Sequence, residues 1–548
     1  MICGISMSNQ SQSVLDLVEF CGGQSNLRRV LKAEGQQFIE VVDAGLLTSQ
    51  TENWVKLDVL GETQVVLPIE RQLTDSELLE LGTLIDENLR VLADACVQPT
   101  ECEFSPSWHV APPQGLLNDP NGFIYHNGEY HLFYQWYPYA CVHKDKYWAH
   151  LTSKDLINWE WKPLGLTPSD WFDSHGVFSG HALSNGDELM LFYTGNTRIG
   201  NERIRQTTQC LAVSENGIDF KKLGPIVPEL PPGVTEHIRD PKIVKRGDEW
   251  LMFLGAQTTD LKGRLAIYSS ADLKQWQFKG LFGEEQGDFG YMWECPDFFE
   301  LNGESFVVAG PQGIESESKH HTIPHHNGIF KSEFGQDNGI ALKEFQNLDM
   351  GFDFYAPQSL ETPDGRRIMS GWMGLPDEIE HPSNNWVHQL TALRELTYVD
   401  GKLIQWPISE IESLRGEKQQ FELNEGEAYT GLTSKSFELN VTLEQGGELR
   451  LHNSGEQYVS IKLENGTLLL DRTHTQIQQG DTIRELPLAS EKVELRILSD
   501  NSSLELFVNG GEHVMSARVF TDGQSIKLEK GKASIELYEL KSATRPYI

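Results

Sequence analysis

Between residues 115 and 375 the chain alternates apolar and polar positions in runs that surround a two-residue turn signal five times: Asn127-Gly128, Gly186-Asp187, Gly247-Asp248, Asn302-Gly303 and Asp364-Gly365. Such alternation predicts hairpins, because a strand sends successive side chains to opposite faces and Gly or Asn in the turn accepts a positive φ. The turn glycines are 58, 61, 56 and 62 residues apart. A second echo, Ser153-Lys154-Asp155-Leu156 before Trp159 and Ser270-Ala271-Asp272-Leu273 before Trp276, recurs in two of the units. Repeated β-units at this spacing predict a five-bladed β-propeller with one four-stranded blade per repeat.

The pattern changes on either side. Val14, Leu15, Leu17 and Val18 have helical spacing, residues 38–42 and 64–67 are strand-like, and Thr74 with Glu77 has capping-box spacing. Leu78, Leu81, Ile85, Leu89 and Leu92 then recur every three or four residues, as one buried helical face requires. Trp406-Pro407 and the charged run after it predict a linker. From about residue 420 short period-2 runs follow one another at 437–443, 448–452, 458–463, 467–471, 493–498, 503–508 and 533–538, with turns such as Glu464-Asn465-Gly466. These predict an antiparallel β-sandwich. The expected architecture is thus an all-β main body: a small α/β module over 1–72, a helical linker over 73–104, the five-bladed β-propeller as catalytic domain over 105–408 and a C-terminal β-sandwich over 409–548.

Composition narrows the partners. With 39% hydrophobic and 23% charged residues the chain has the make-up of a soluble protein, and its net charge of -35 argues against nucleic acid and anionic membrane surfaces. Seven cysteines is an odd number without metal-ligand spacing, which predicts reduced thiols. The first residues have neither a basic nor an apolar leader pattern, so the expected location is the cytoplasm, with the Asn440-Val441-Thr442 sequon unglycosylated. No cofactor is called for, and the oligomeric state, monomer or homodimer, stays open.

Candidate chemistry emerges from the repeat. Asp119, in Asn118-Asp119-Pro120-Asn121-Gly122, lies nine residues before the first turn glycine, Asp240 seven before the third and Glu294 nine before the fourth. Phe178-Ser179-Gly180 and Tyr355-Ala356-Pro357-Gln358 hold the matching places before the second and fifth turns. If the strand entering each turn is the innermost of its blade, the three acids meet at one end of a central channel. A local ion pair of Arg239 with Asp240 and a strand-edge charge at Glu294 are the plainer readings of each acid alone. Converging carboxylates suit glycoside hydrolysis, where one acts as nucleophile or base and another as acid; neighbouring like charges raise one pKa so that it can donate. Trp136, Trp148, Phe178 and Trp293 are candidates for stacking on a sugar, or for blade packing. His143, Lys144 and Lys146 either reach a substrate phosphate or form a solvated loop. The histidine tract over 319–326 lacks a framing acid or cysteine and is not read as a metal site.

The motifs Asn118-Asp119-Pro120-Asn121-Gly122, Phe133-Tyr134-Gln135, Phe178-Ser179-Gly180, Arg239-Asp240-Pro241 and Glu294-Cys295-Pro296 together resemble the invertase (β-fructofuranosidase) family of glycoside hydrolases, over about residues 105 to 545. The resemblance implies Asp119 as nucleophile and Glu294 as general acid and then base. It also implies that Asp240, with Arg239, holds fructose hydroxyls and stabilises the transition state. By the same resemblance Asn118, Gln135, Trp148, Phe178 and Ser179 line the fructose subsite; Tyr355, at the matching place before the fifth turn, is a further substrate-binding candidate. Leu116-Leu117 departs from the aromatic and Met that many members carry before Asn-Asp. Residues 22–27 resemble the opening of the B domain of sugar phosphotransferase transporters, without that family's phosphorylatable Cys near Ala33. The implied activity is retaining hydrolysis of sucrose or sucrose 6-phosphate. Fructan hydrolysis or fructosyl transfer, and non-catalytic sugar binding or sensing, are the rivals.

Overall fold

The structure, a computed structural model, describes residues 12–33, 35–48, 55–59, 62–98, 102–199, 203–314, 325–335, 339–376, 385–476 and 481–543. Helix α1 (Gln12–Phe20) precedes four antiparallel strands, β1 (Leu27–Ala33), β2 (Gln36–Val41), β3 (Val55–Val59) and β4 (Glu62–Pro68), in the sheet order β1-β2-β4-β3. Helix α2 (Asp75–Asp94) opens on a capping box between Thr74 and Glu77, which occupies amides that the first turn leaves without helical partners. Leu78, Leu81 and Ile85 pack with Leu27, Val30 and Ile39 of the sheet. Leu92, expected on the same buried face, is 56% exposed; the apolar contact ends before the helix does.

Residues 115–407 form five largely antiparallel sheets in chain order, the middle three of four strands and the first and fifth of five. The lead strand of each is Gly115–His126, Val177–Asn185, Val234–Arg246, Met292–Leu301 and Tyr355–Glu361. Each lead strand touches the next, and the fifth touches the first, so they form a ring. Trp386–Val387, from the fifth repeat, adds in parallel to Gly115–Leu116 and ties the two ends together. Strands packed on both faces leave few groups to water, and their polar atoms are accordingly paired. Gln358 donates to Gly180 O at 2.6 Å and accepts from Phe123 N at 3.1 Å, while Lys242 meets Asp297 at 2.6 Å and Asp297 accepts from Ser359 N at 2.7 Å. All five lead strands are thereby stitched together by polar side chains.

The predicted linker is structured: Trp406 and Pro407 end the last strand of the fifth sheet (Lys402–Pro407), and a 3-10 helix over Ser409–Leu414 leads straight on. Beyond it, two six-stranded antiparallel sheets enclose an apolar core that includes Leu439, Val441, Ile461, Leu468, Leu504 and Leu528. Arg394 is fully buried and reaches Asp349 and Glu505, each at 2.9 Å. His109 sits between Asp500 at 2.9 Å and Glu505 at 3.0 Å. Burial opposes its charge, but both carboxylates raise its pKa, so the five sheets and the C-terminal unit share a buried ionic junction. Among the described residues no helix is long and apolar enough to cross a membrane.

Candidate active site

All five lead strands are bulged where they pass one end of the ring. Their ladders skip between Leu117 and Pro120, around Ser179, between Arg239 and Lys242, between Glu294 and Asp297, and between Tyr355 and Gln358. A flat strand sends consecutive side chains to opposite faces, and a bulge re-aims them. Asp240, Cys295 and Ala356 take φ of 67, 46 and 48°, a region that non-glycine residues rarely occupy. As a result Arg239 and Asp240 both face the same side, and Glu294 and Cys295 do likewise. The ladder also refines the sequence register: Glu294 matches Arg239 and Tyr355 as the last paired residue before a bulge, whereas Asp240 matches Cys295 and Ala356. The three acids converge from non-equivalent positions.

Each carboxylate is held by several donors. Ser179 Oγ donates to Asp119 Oδ2, Asn118 Nδ2 donates to Asp119 Oδ1 at 3.2 Å and also to Gln135, and Gln135 Nε2 donates to Ser179 Oγ at 2.9 Å. Glu294 Oε1 receives Arg239 Nε at 3.1 Å and a second Arg239 nitrogen; Oε2 receives Gln312 Nε2 at 2.6 Å and Tyr355 Oη at 2.7 Å. Asp240 Oδ2 accepts the Cys295 amide at 2.9 Å, and the Cys295 thiol lies 3.5 Å from Asp119 and 3.6 Å from Asp240. Among the described residues no group of three or more His, Cys, Asp or Glu side chains is placed to hold a metal ion.

The electrostatics separate the acids. Burial, with the charges of Glu294 and Asp119 added, pushes Asp240 up to about 7 against the pull of Arg239. Burial and Glu294 raise Asp119 too, opposed by the hydrogen bonds from Ser179, Asn118 and Cys295. Burial acts upward on Glu294 as well, yet Arg239 and Tyr355 outweigh it and hold this carboxyl below its ordinary value. Without substrate, the electrostatics thus favour protonation of Asp240 over Glu294.

The trio opens into a cavity of about 470 Å³, within the usual range for a small-molecule site. Asn118, Gln135, Phe178, Ser179, Arg239 and Tyr355 line it, as do His143, Lys144 and Lys146. Trp148 does not: it is fully buried, and its indole N–H donates to Phe178 O at 3.2 Å, so it supports the wall from behind. Trp136 and Trp293 are also fully buried, which makes Phe178 the only cavity-lining ring of the four aromatic candidates. Lys146 is 4% exposed; burial lowers its pKa to about 7 against the charges of Asp119 and Asp145, and it bonds His143 Nδ1 at 3.1 Å. Of the histidine tract, residues 319–324 lie outside the described residues, and the His325 ring centroid is 6.2 Å from that of Tyr355.

The sequence models of the Glycosyl hydrolases family 32 N-terminal domain and of the Glycosyl hydrolases family 32 C terminal match residues 109–407 and 410–543. The chain belongs to glycosyl hydrolase family 32. A probable sucrose-6-phosphate hydrolase of Psychromonas ingrahamii is 56% identical over 98% of this chain and 100% of that protein. The sucrose-6-phosphate hydrolase of Bacillus subtilis is 40% identical over 75% of this chain and 88% of its own. Among solved structures, the sucrose-6-phosphate hydrolase of Lactobacillus gasseri aligns with a TM-score of 0.76 at 30% identity, over 86% of this chain and 100% of its own. A Bombyx mori GH32 β-fructofuranosidase variant in complex with sucrose aligns with a TM-score of 0.74 at 31% identity over 86% of this chain and 100% of its own.

In this family 32 chain the sequence reading missed part of the cavity wall. Arg198, Arg203 and Arg205 line it from the second sheet, and Arg28 and Arg29 from the N-terminal module. Burial and the neighbouring guanidiniums Arg239 and Arg198 lower the Arg205 pKa to about 9. Arg198 and Arg203 are lowered as well, chiefly by burial. Three arginines within eight residues, in a chain with 45 Lys and Arg against 80 Asp and Glu, was the available signal.

Proposed function

We propose that the chain hydrolyses the β-fructofuranosidic bond of sucrose 6-phosphate, and more slowly that of sucrose, through a covalent fructosyl-enzyme. The five sheets are read as a five-bladed β-propeller over 105–408 and the C-terminal pair as a β-sandwich over 409–548, preceded by the 1–72 module and the 73–104 helical linker. The observation that carries the substrate reading is the cavity itself: carboxylates at its floor and a wall of Lys and Arg, in a chain of net charge -35. A neutral sugar needs no such wall; a phosphoryl group does. The names of the relatives agree, and a phosphorylated substrate supports a cytoplasmic location.

In this reading Asp119, held by Ser179 and Asn118, attacks the fructosyl anomeric carbon. Glu294 donates a proton to the departing glucose oxygen, then takes one from the water that releases fructose. Glu294 gains its proton when fructose hydroxyls draw Arg239 away, because burial and two carboxylate neighbours then dominate its pKa. Asp240, its pKa raised by burial, binds fructose hydroxyls. Asn118, Gln135 and Phe178 complete the fructose side, and His143, Lys144 and Lys146 face the phosphate side.

Two measurements test this. kcat/KM should be at least about tenfold higher for sucrose 6-phosphate than for sucrose; equal values would refute the phosphate reading. NMR of fresh product should show β-fructofuranose first, and initial α-anomer would refute the covalent route.

A further inference from the structure

We propose that the N-terminal module forms one wall of the substrate pocket and that its Arg28 is a specificity-determining contact for the substrate's phosphoryl group. This rests on the phosphate reading above and goes beyond it, since it gives residues 12–68 a part in choosing the substrate.

The placement begins with a bulge. In the β1–β2 ladder Leu27 pairs with Val41 and Arg29 with Glu40, so Arg28 is the extra residue. Adjacent strand residues would otherwise face opposite ways; here Arg28 and Arg29 both line the cavity that holds Asp119 and Glu294. The two then differ in their commitments. Arg29 is buried and fully engaged: its Nε donates to Ser174 O at 2.8 Å, it meets Glu40 at 3.0 Å, and it pairs with Asp145. Asp145 stands between Lys144 and Lys146, so this anchor docks the module against the loop carrying both lysines. Arg28 keeps 35% of its side chain exposed and shares Glu40 with Arg29, at 3.2 Å from its Nε. Glu40 is thus shared by both guanidiniums.

Across the gap the wall continues with Arg198 and Arg203, neither of which has a carboxylate within 4.0 Å among the described residues. His175 locates the convergence: burial and then the charges of Arg29, Arg203, Arg198 and Arg28 drive its pKa far down. These four arginines, from two separate parts of the chain, line the same cavity as His175. Glu40 and Asp145 offset part of their charge, and an anion in the cavity would offset more. A phosphoryl dianion supplies that charge together with acceptor oxygens for several guanidinium forks.

The test is the ratio of kcat/KM for sucrose 6-phosphate to that for sucrose, in the full chain and in Arg28→Ala, Arg28→Gln and Arg28→Lys. The ratio is expected to fall at least about tenfold in Arg28→Ala and Arg28→Gln, the size of a lost charge-assisted contact, with part restored in Arg28→Lys. A general structural defect lowers both substrates alike. Hence a high wild-type ratio that survives Arg28→Ala and Arg28→Gln overturns the role of Arg28 and leaves the phosphate reading standing. A wild-type ratio near one overturns both.

Discussion

Asp240→Asn provides a test of where the trio keeps its proton that does not depend on turnover. Asp240 is 5% exposed, and its pKa rises from 3.8 to about 7, first through burial and then through the charges of Glu294 and Asp119. An acid whose folded pKa lies above its unfolded one binds more protons when folded, so its contribution to stability falls as pH rises between the two values. Between pH 5 and pH 8 the wild type should lose about 2–3 kcal/mol from this group alone. Asn cannot ionise, still accepts the Cys295 amide, and escapes that loss. The variant-minus-wild-type difference in unfolding free energy should therefore grow by about 2–3 kcal/mol in favour of Asp240→Asn from pH 5 to pH 8. All 13 tryptophans precede residue 407, so urea unfolding followed by tryptophan fluorescence reports on the part of the chain that holds Asp240. A difference that stays constant or shrinks as pH rises would refute the assignment of the proton to Asp240.

Two further outcomes follow from the same geometry. Cys295→Ala removes a thiol contact that lowers the Asp119 pKa, so the acid limb of the kcat/KM pH profile should move to higher pH; a limb that stays or moves down contradicts an ionised Asp119 as the group reported. Arg394→Ala leaves Asp349 and Glu505 buried without their shared cation, and should cost about 3–5 kcal/mol of stability in urea or thermal unfolding. A loss below about 1 kcal/mol would mean that the junction contributes packing only.

The repeat was legible because a strand has a fixed period and a hairpin turn has fixed chemistry; the five lead strands follow from Gly128, Gly186, Gly247, Gly303 and Gly365. The meeting of Asp119, Asp240 and Glu294 followed from the same count, but their register did not. Counting back from the turns cannot see a bulge, which is why Glu294 emerged in the place that Cys295 occupies. Three of the four aromatic candidates lie away from the cavity for a different reason: alternation marks Trp136, Trp148 and Trp293 as inward-facing without saying whether inward means cavity or core. The arginine wall was least legible. Arg28 and Arg29 reach the cavity by docking a separate module, and no periodicity within β1 encodes what that module packs against.

The bulges also bear on why the proposed catalytic and selective elements come from different parts of the chain. A lead strand packed on both faces can offer the cavity two consecutive polar side chains only by breaking its ladder, as Asn118-Asp119 and Arg239-Asp240 do. Positive φ at Asp240, Cys295 and Ala356 carries a strain of about 1–3 kcal/mol each, partly offset where the Cys295 amide meets Asp240. Such positions tolerate little substitution, so the acids are confined to the ring. The cationic wall is built instead from a hairpin, a loop and a docked module, outside the ring of lead strands. Selectivity for a charged group can therefore change at Arg28, Arg198 or Arg203 while Asp119, Asp240 and Glu294 keep their geometry, and the substrate ratio, rather than the turnover of any one sugar, is the quantity in which that change would be read.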